Sequence, residues 1–176
     1  MKWVLDPVHS AAAFAVRHMG IAFVRGKFNM VKGTIYFDPP DISSLSAEGE
    51  VDVASLGTGI EKRDAHLKSP DFFYGEKYPK IFFKGEKAEP LSENKGRLTG
   101  ELTIRGITRP VTFEFEYSGP VKAPFGEETS IGFTATTKAK LLDFDLKWNE
   151  KMPEGGFVVG PEALLTLDVE ADLVEG

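Results

Sequence analysis

Hydrophobic and polar residues alternate along most of the chain, with the two-residue period of a β-strand. Between Val111 and Tyr117 the apolar and aromatic side chains occupy odd positions and the polar ones even positions. The same period recurs between Ile131 and Leu141 and between Ala163 and Leu173. Because successive side chains of a strand point to opposite faces, each segment has one apolar face. No helical pattern is long enough to cover these faces, so they must cover one another in a sandwich or a barrel.

Turn residues divide the chain at short intervals and predict about eight strands between them. We place these strands at residues 10–18, 26–37, 45–55, 80–87, 96–104, 109–118, 130–141 and 162–173. A hairpin of residues 98–104 and 111–117 is the best defined, because alternation on both sides fixes its register. Residues 61–68 break the pattern and are predicted to form two helical turns, ended by Pro70, at one end of the sheet.

Length and composition predict one domain over residues 1–176 and exclude several partners. The chain has no cysteine, which excludes a disulfide framework and thiolate metal sites. A net charge of −6 argues against nucleic acid and an anionic membrane surface, because both require clustered Lys and Arg. The chain lacks an apolar run of membrane-spanning length, so no stable membrane insertion is expected. Without a signal-peptide core, it is expected in the cytoplasm, or in the periplasm if it is a processed form.

No motif points to catalysis. His9, His18 and His66 lack the spacing of metal ligands, so no metal site is predicted. The chain contains neither a glycine-rich phosphate loop nor a Gly-x-Ser-x-Gly nucleophile elbow. We therefore predict a non-enzymatic protein without a cofactor. The alternative is an enzyme acting on a lipid, with His18 or His66 as acid or base.

The inward rows of the predicted strands mix phenylalanine with small residues such as Gly33, Ala135 and Ala139. An eight-stranded barrel is either filled by its side chains or holds one small ligand, and small inward residues favour the second case. An apolar cavity suits a long hydrocarbon, at about 0.8 kcal/mol per buried methylene. The predicted ligand-binding residues are Phe14, Val16, His18, Val31, Ile35, Phe37, Val51, Val53, Ile81, Phe83, Leu102, Phe113, Phe115, Phe133 and Leu165. A filled β-sandwich serving as an interaction module would instead show no cavity and a flat exposed apolar patch.

Blocks at residues 3–10, 14–20, 25–28, 63–69 with Phe72, 78–79 and 100–111 resemble, in order and spacing, the YceI family of bacterial proteins. The resemblance runs the whole length of the chain. It implies a lipocalin-like extended antiparallel β-barrel. It also implies that the central cavity binds a polyisoprenoid, such as a prenyl pyrophosphate or a quinone, or another long-chain lipid, without established catalytic activity.

The polar residues of these blocks have two interpretations each. Arg63, Asp64 and His66 either lock their own loop or contact the head group of a ligand. His9 and Ser10 follow Asp-Pro and are interpreted as a turn or cap.

Basic and aromatic residues near the predicted ends of the barrel are candidates for contacts with a ligand head group or with a second copy of the chain. His18 continues the row of Phe14 and Val16, so its ring should reach the cavity near an end. Arg17, Arg25 and Lys27 are expected to be solvated, or to supply charge for a pyrophosphate at the mouth. An unpaired strand edge or exposed phenylalanines near Phe72 and Phe73 would allow a homodimer.

Overall fold

The computed structural model describes residues 1–176 and consists almost entirely of antiparallel strands. One α-helix, α1 (Glu61–Lys68), and two 3₁₀ turns, Val53–Ser55 and Leu141–Phe144, lie between them. The strands are β1 (Lys2–Leu5), β2 (Ala11–His18), β3 (Ala22–Phe28), β4 (Val31–Asp38), β5 (Asp41–Asp52), β6 (Leu56–Gly57), β7 (Lys80–Pro90), β8 (Lys95–Ile104), β9 (Ile107–Lys122), β10 (Thr129–Lys140) and β11 (Val159–Glu175).

Eight strands close into a ring in the order β1-β4-β5-β7-β8-β9-β10-β11, and β11 pairs back to β1. Strand β11 is long enough for two partners on one side, since its last residues pair with β1 and its first half pairs with β2. Strand β3 then adds to β2, and the short β6 adds to β3. The predicted all-β fold, a lipocalin-like antiparallel barrel with one short helix, is confirmed.

The best-defined hairpin has the predicted register, with Leu98 opposite Phe113 and Ile104 opposite Ile107. Arg105 and Gly106 connect its strands at φ angles of 53° and 72°. Two successive residues with positive φ form a type I′ turn, whose twist matches that of the flanking strands. Helix α1 also has the predicted bounds.

The predicted bounds of the long strands differ from the observed ones by up to four residues at an end, as in β5 and β9. The other differences concern one division and two short strands. The single strand predicted at residues 26–37 is two strands, β3 and β4, separated by Asn29 and Met30. Strands β1 and β6, of four and two residues, were not predicted. Segments of that length are too short to show an alternating pattern.

The connections between strands fall at two ends of the barrel, which differ in packing. At the closed end, reached by the β4–β5, β7–β8 and β9–β10 connections, Trp3, Phe37, Tyr117 and Ile131 are buried in one cluster. The indole Nε1 of Trp3 donates to the carbonyl oxygen of Phe37 at 3.0 Å. The open end carries the β2–β3 and β8–β9 turns and the long connections 58–79 and 141–158. None of the helical segments has the length and apolar character needed to cross a membrane.

Candidate functional site

An apolar cavity of about 420 Å³ lies inside the barrel. Of the 43 residues that line it, 35 are hydrophobic. Its volume lies within the range of about 300 to 1,000 Å³ that is typical of pockets for small molecules and cofactors. The barrel is therefore not filled by its own side chains.

Thirteen of the fifteen residues predicted for the site lie on the cavity wall. They are Phe14, Val16, His18, Val31, Ile35, Val51, Ile81, Phe83, Leu102, Phe113, Phe115, Phe133 and Leu165. Their contact with a ligand stays a prediction, but their inward direction follows from strand phase, because alternate residues share a face.

Phe37 and Val53 do not lie on the wall, so the prediction of their position is wrong. The ring of Phe37 packs edge-to-face on Tyr117, with centroids 5.0 Å apart, in the cluster that fills the closed end. Val53 begins a 3₁₀ turn after β5, where the two-residue period no longer sets side-chain direction. Its backbone N–H donates to the carbonyl oxygen of Pro79 at 2.9 Å.

Several residues that line the cavity were not predicted from the sequence. Phe28 lies at the end of β3, inside the segment predicted as one uninterrupted strand. Others come from the two long connections at the open end, where no periodic pattern exists: Leu67, Phe72, Phe73, Phe144, Leu146, Trp148 and Val158. Their apolar character in otherwise polar segments was the one signal available.

The connection 58–79, which we call the cover segment, completes the wall where strand pairing stops. Strand β3 pairs with β2 along its length, but its other edge meets β6 only at Lys27 and Phe28. Phe73 of the cover segment packs beside this gap, with its ring centroid 5.4 Å from that of Phe28 and 6.2 Å from that of Phe14. Side chains rather than backbone hydrogen bonds therefore close this part of the barrel.

Arg63 and Asp64 hold the start of the cover segment through Thr58. One carboxylate oxygen of Asp64 accepts both the backbone N–H of Thr58, at 2.8 Å, and its hydroxyl, at 2.5 Å. Arg63 donates from Nε to the same hydroxyl oxygen, at 2.8 Å, and from Nη2 to the carbonyl oxygen of Thr58, at 3.0 Å. The hydrogen bond from the Thr58 hydroxyl is the main cause that lowers the pKa of Asp64. These contacts support the loop-locking interpretation of Arg63 and Asp64.

Arg105 fixes the second half of the cover segment by donating from Nη1 to the carbonyl oxygens of Pro70 and Phe72. Phe72 and Phe73, whose exposure would allow a homodimer, are both partly buried. The reason is that Phe73 packs into the barrel, while Phe72 contacts His66, with ring centroids 5.1 Å apart. A homodimer stays a prediction, and these two rings do not offer an exposed surface for it.

Seven of the residues that line the cavity have polar or charged side chains, and Glu48, Glu50 and Thr166 belong to β5 and β11. The other four, His18, Arg17, Arg63 and His66, lie near the open end. The Nε2 atom of His66 lies 2.8 Å from a carboxylate oxygen of Asp71. Arg25 and Lys27, the other two basic residues considered for a head group, are exposed and do not line this cavity.

His9 ends a turn that begins at Asp6, since the N–H of His9 donates to the carbonyl oxygen of Asp6, and Ser10 follows this turn. His9 Nδ1 lies 2.6 Å from a carboxylate oxygen of Asp6, and this contact is the main cause that raises the pKa of His9 and lowers that of Asp6. The hydroxyl of Ser10 donates to the carbonyl oxygen of Glu170 and accepts from its N–H. Asp6, His9 and Glu170 each place one potential metal-ligand atom within 4.8 Å of the other two. The spacing of the histidines in the sequence did not reveal this group.

The ring of eight strands and its interior define a lipocalin-like barrel protein with an apolar cavity open towards one end. The chain belongs to the YceI family, because the family model, described as a YceI-like domain, matches residues 3–171. This match confirms the resemblance found in the sequence.

Individual relatives agree with this assignment. A UPF0312 protein of Vibrio parahaemolyticus is 37% identical over 146 residues, which cover 82% of this chain and 77% of the relative. The crystal structure of a YceI protein of Campylobacter jejuni is similar with a TM-score of 0.73, at 30% identity over 90% of each chain. A polyisoprenoid-binding domain from Saccharophagus degradans has a TM-score of 0.73 and covers 98% of each chain. At 13% identity, this last similarity shows the shared fold alone.

Proposed function

We propose that the chain is a non-enzymatic carrier that binds a long-chain isoprenoid or a comparable lipid inside its barrel. The observation that carries the proposal is the cavity of about 420 Å³ with a predominantly hydrophobic wall. A wall of this composition offers almost no hydrogen-bonding partners to a polar molecule, whereas it suits a hydrocarbon. The polyisoprenoid-binding domain of Saccharophagus degradans, which shares the fold, supports this class of ligand.

The energetics favour a long chain over a short one. Burying each methylene contributes about 0.8 kcal/mol, so a chain of roughly 20 carbons contributes about 16 kcal/mol gross. Association and ordering cost about 4 to 15 kcal/mol. A short ligand would fall below this cost. In the proposed complex the tail lies towards the closed end, and the head group lies near His18, Arg63 and His66 at the open end.

The direct test is mass spectrometry of an organic extract of the purified protein. We expect close to one long-chain lipid per protein. Repeated empty extracts, together with no saturable uptake of prenyl lipids, would refute the proposal. Turnover of a prenyl substrate that is lost in His18→Ala or His66→Ala would favour an enzyme instead.

A matched pair of variants tests whether the lipid occupies the cavity. Ala135 lines the cavity on β10, whereas its neighbour Thr134 points outward and is exposed. Because the indole ring of Ala135→Trp would fill cavity space, we expect bound lipid to fall by about tenfold or more. Thr134→Trp should retain its lipid, and circular dichroism would confirm that both variants fold. Equal lipid content in the two variants would place the ligand elsewhere.

A further inference from the structure

The tip of the β2–β3 hairpin exposes apolar side chains beside the open end of the barrel. Met19, Ile21 and Phe23 are 43%, 78% and 44% exposed. Phe157, which is 53% exposed, follows in the neighbouring connection, where the N–H of Met19 donates to the carbonyl oxygen of Val158 at 2.8 Å. We call these four residues the apolar tip. Large apolar side chains grouped at a protruding turn are typical of an interaction surface.

The turn itself has a conformation that a methionine adopts at a cost. Met19 has a φ angle of 55° and Gly20 one of 72°, which are the angles of a type I′ turn. Asn, Asp or Gly usually occupies such positions, because a larger side chain is strained there. A methionine in place of the usual polar turn residue increases the apolar surface at the tip.

Cationic groups surround the apolar tip. The guanidinium carbon of Arg17 lies 4.0 Å from the centroid of the Phe23 ring, and that of Arg25 lies 5.2 Å from it. The exposed ring thus contacts two positive charges, and neither arginine forms an ion pair with a carboxylate.

The charge of the chain is strongly uneven. No acidic residue occurs between Asp6 and Asp38, whereas four Lys and Arg residues do. This stretch therefore carries a charge of +4, and the rest of the chain carries −10, given the total of −6. The net charge, which argued against an anionic partner, conceals a basic hairpin at the open end.

The closed end provides the contrast. It also exposes apolar side chains, with Val121 at 62% and Phe125 at 93%. Its connections carry exposed carboxylates, however, at Asp38, Asp41, Glu93, Glu127 and Glu128. The open-end connections 58–79 and 141–158 also carry exposed carboxylates, among them Glu150 and Glu154, but the β2–β3 hairpin itself carries none. This hairpin therefore combines exposed apolar groups with basic residues alone, and this combination fits a surface that is anionic outside and apolar beneath.

We propose that the apolar tip and its basic surround dock the open end of the barrel onto an anionic phospholipid membrane. The apolar side chains insert among the head groups, while Arg17 and Arg25, which flank Phe23, lie near the lipid phosphates. Docking is peripheral and reversible. It brings the mouth of the cavity against the bilayer, so that a lipid passes between membrane and barrel with little exposure to water.

Vesicle co-sedimentation of the full chain tests this docking. We expect binding to vesicles of equimolar phosphatidylcholine and phosphatidylglycerol at low salt, weak binding to phosphatidylcholine alone, and a decrease as salt is added. No sedimentation with the anionic vesicles at low salt would overturn the proposal. Equal binding to both kinds of vesicle at all salt concentrations would also overturn it.

Variants separate the apolar from the charged contribution. The double variant Ile21→Ser and Phe23→Ser should weaken vesicle binding by about tenfold or more, because it removes the two apolar side chains that would be buried in the membrane. The control, Val121→Ser with Phe125→Ser, removes similar side chains at the closed end and should bind unchanged. Equal losses in the two double variants would refute the assignment to the tip.

The charge variants use residues that do not line the cavity. Arg25→Gln should weaken binding about fivefold and reduce the dependence on salt. Lys27→Gln should have a smaller effect, because Lys27 lies five residues along β3 from Ala22 at the tip. Lipid content of the purified variants is measured in parallel. A protein that binds vesicles but carries no lipid would support the docking proposal and refute the proposed carrier function. A protein that carries lipid but does not bind vesicles would support the carrier function and refute the docking proposal.

Discussion

The cavity wall at Phe14 depends on a glycine in the neighbouring strand. Gly26 lies directly opposite Phe14 in the β2–β3 pairing, and the phenyl ring lies over it. A Cβ atom on Gly26 would be 2.4 Å from Cζ and 2.6 Å from Cε1 of the ring. The backbone of Gly26 does not have a positive φ, so Gly26→Ala adds no backbone strain. Besides the ring, the nearest atom to the new Cβ would be Cγ2 of Thr58, at 3.1 Å, which is a much milder contact.

The expected cost follows from what must move. Overpacking of this kind destabilises a protein by about 1 to 3 kcal/mol. For a chain of this length, each kcal/mol lowers the melting temperature by roughly 2 to 4 °C. We therefore expect Gly26→Ala to melt about 4 to 8 °C lower, at a cost of about 2 kcal/mol.

A double-mutant cycle identifies the cause. Phe14→Leu removes the ring and by itself costs less than the roughly 3 to 5 kcal/mol of a buried Phe→Ala change. Because the ring clash is absent in the double variant and the contact with Thr58 that remains is milder, its free energy of unfolding should be close to that of Phe14→Leu alone. The coupling between the two sites should thus be about 1 to 3 kcal/mol, measured by urea unfolding.

Gly57→Ala is the matched control, since a Cβ atom there meets no atom within 4 Å. Its stability should be unchanged or slightly increased, because alanine restricts the unfolded chain more than glycine does. Two results would refute the reasoning: additive effects in the cycle, or an equal loss of stability in Gly57→Ala and Gly26→Ala.

Two further predictions concern polar contacts outside the cavity. Arg105→Met removes the donor to two carbonyl oxygens of the cover segment, so amide hydrogen exchange in residues 69–79 should accelerate by about tenfold. The control is Arg97→Met, which loses only an exposed ion pair with Glu114. Equal exchange rates in the two variants would contradict the anchoring role of Arg105. Asp6→Asn should shift the NMR titration midpoint of His9 down towards the ordinary value of 6.5, because Asp6 raises the pKa of His9. In the native protein the contribution of His9 to stability is complete below pH 6.5 and is lost as the pH rises through its higher folded value; an unshifted midpoint would contradict the contact.

How much of the site the sequence could predict depends on where each residue lies. Phe113 and Phe115 were placed correctly because they belong to a long strand, in which phase alone sets direction. Phe73 and Trp148 line the same cavity, but they come from connections whose path is set by tertiary contacts such as those of Arg105. Val53 lies at the boundary between strand and connection, and alternation predicts the direction of a side chain only while the strand continues.

How the barrel closes could also be predicted only in part from the sequence. Alternation predicts that apolar faces must meet, but it does not tell whether backbone pairing or side chains complete the wall. Beside β3 the ladder ends at Phe28, and the cover segment supplies Phe73 in its place. A wall closed by packed side chains opens locally at a lower free energy than one closed by a hydrogen-bonded ladder. The gap beside β3 is therefore where exchange of a ligand would disturb the barrel least, and it lies next to the basic hairpin rather than at the acidic closed end.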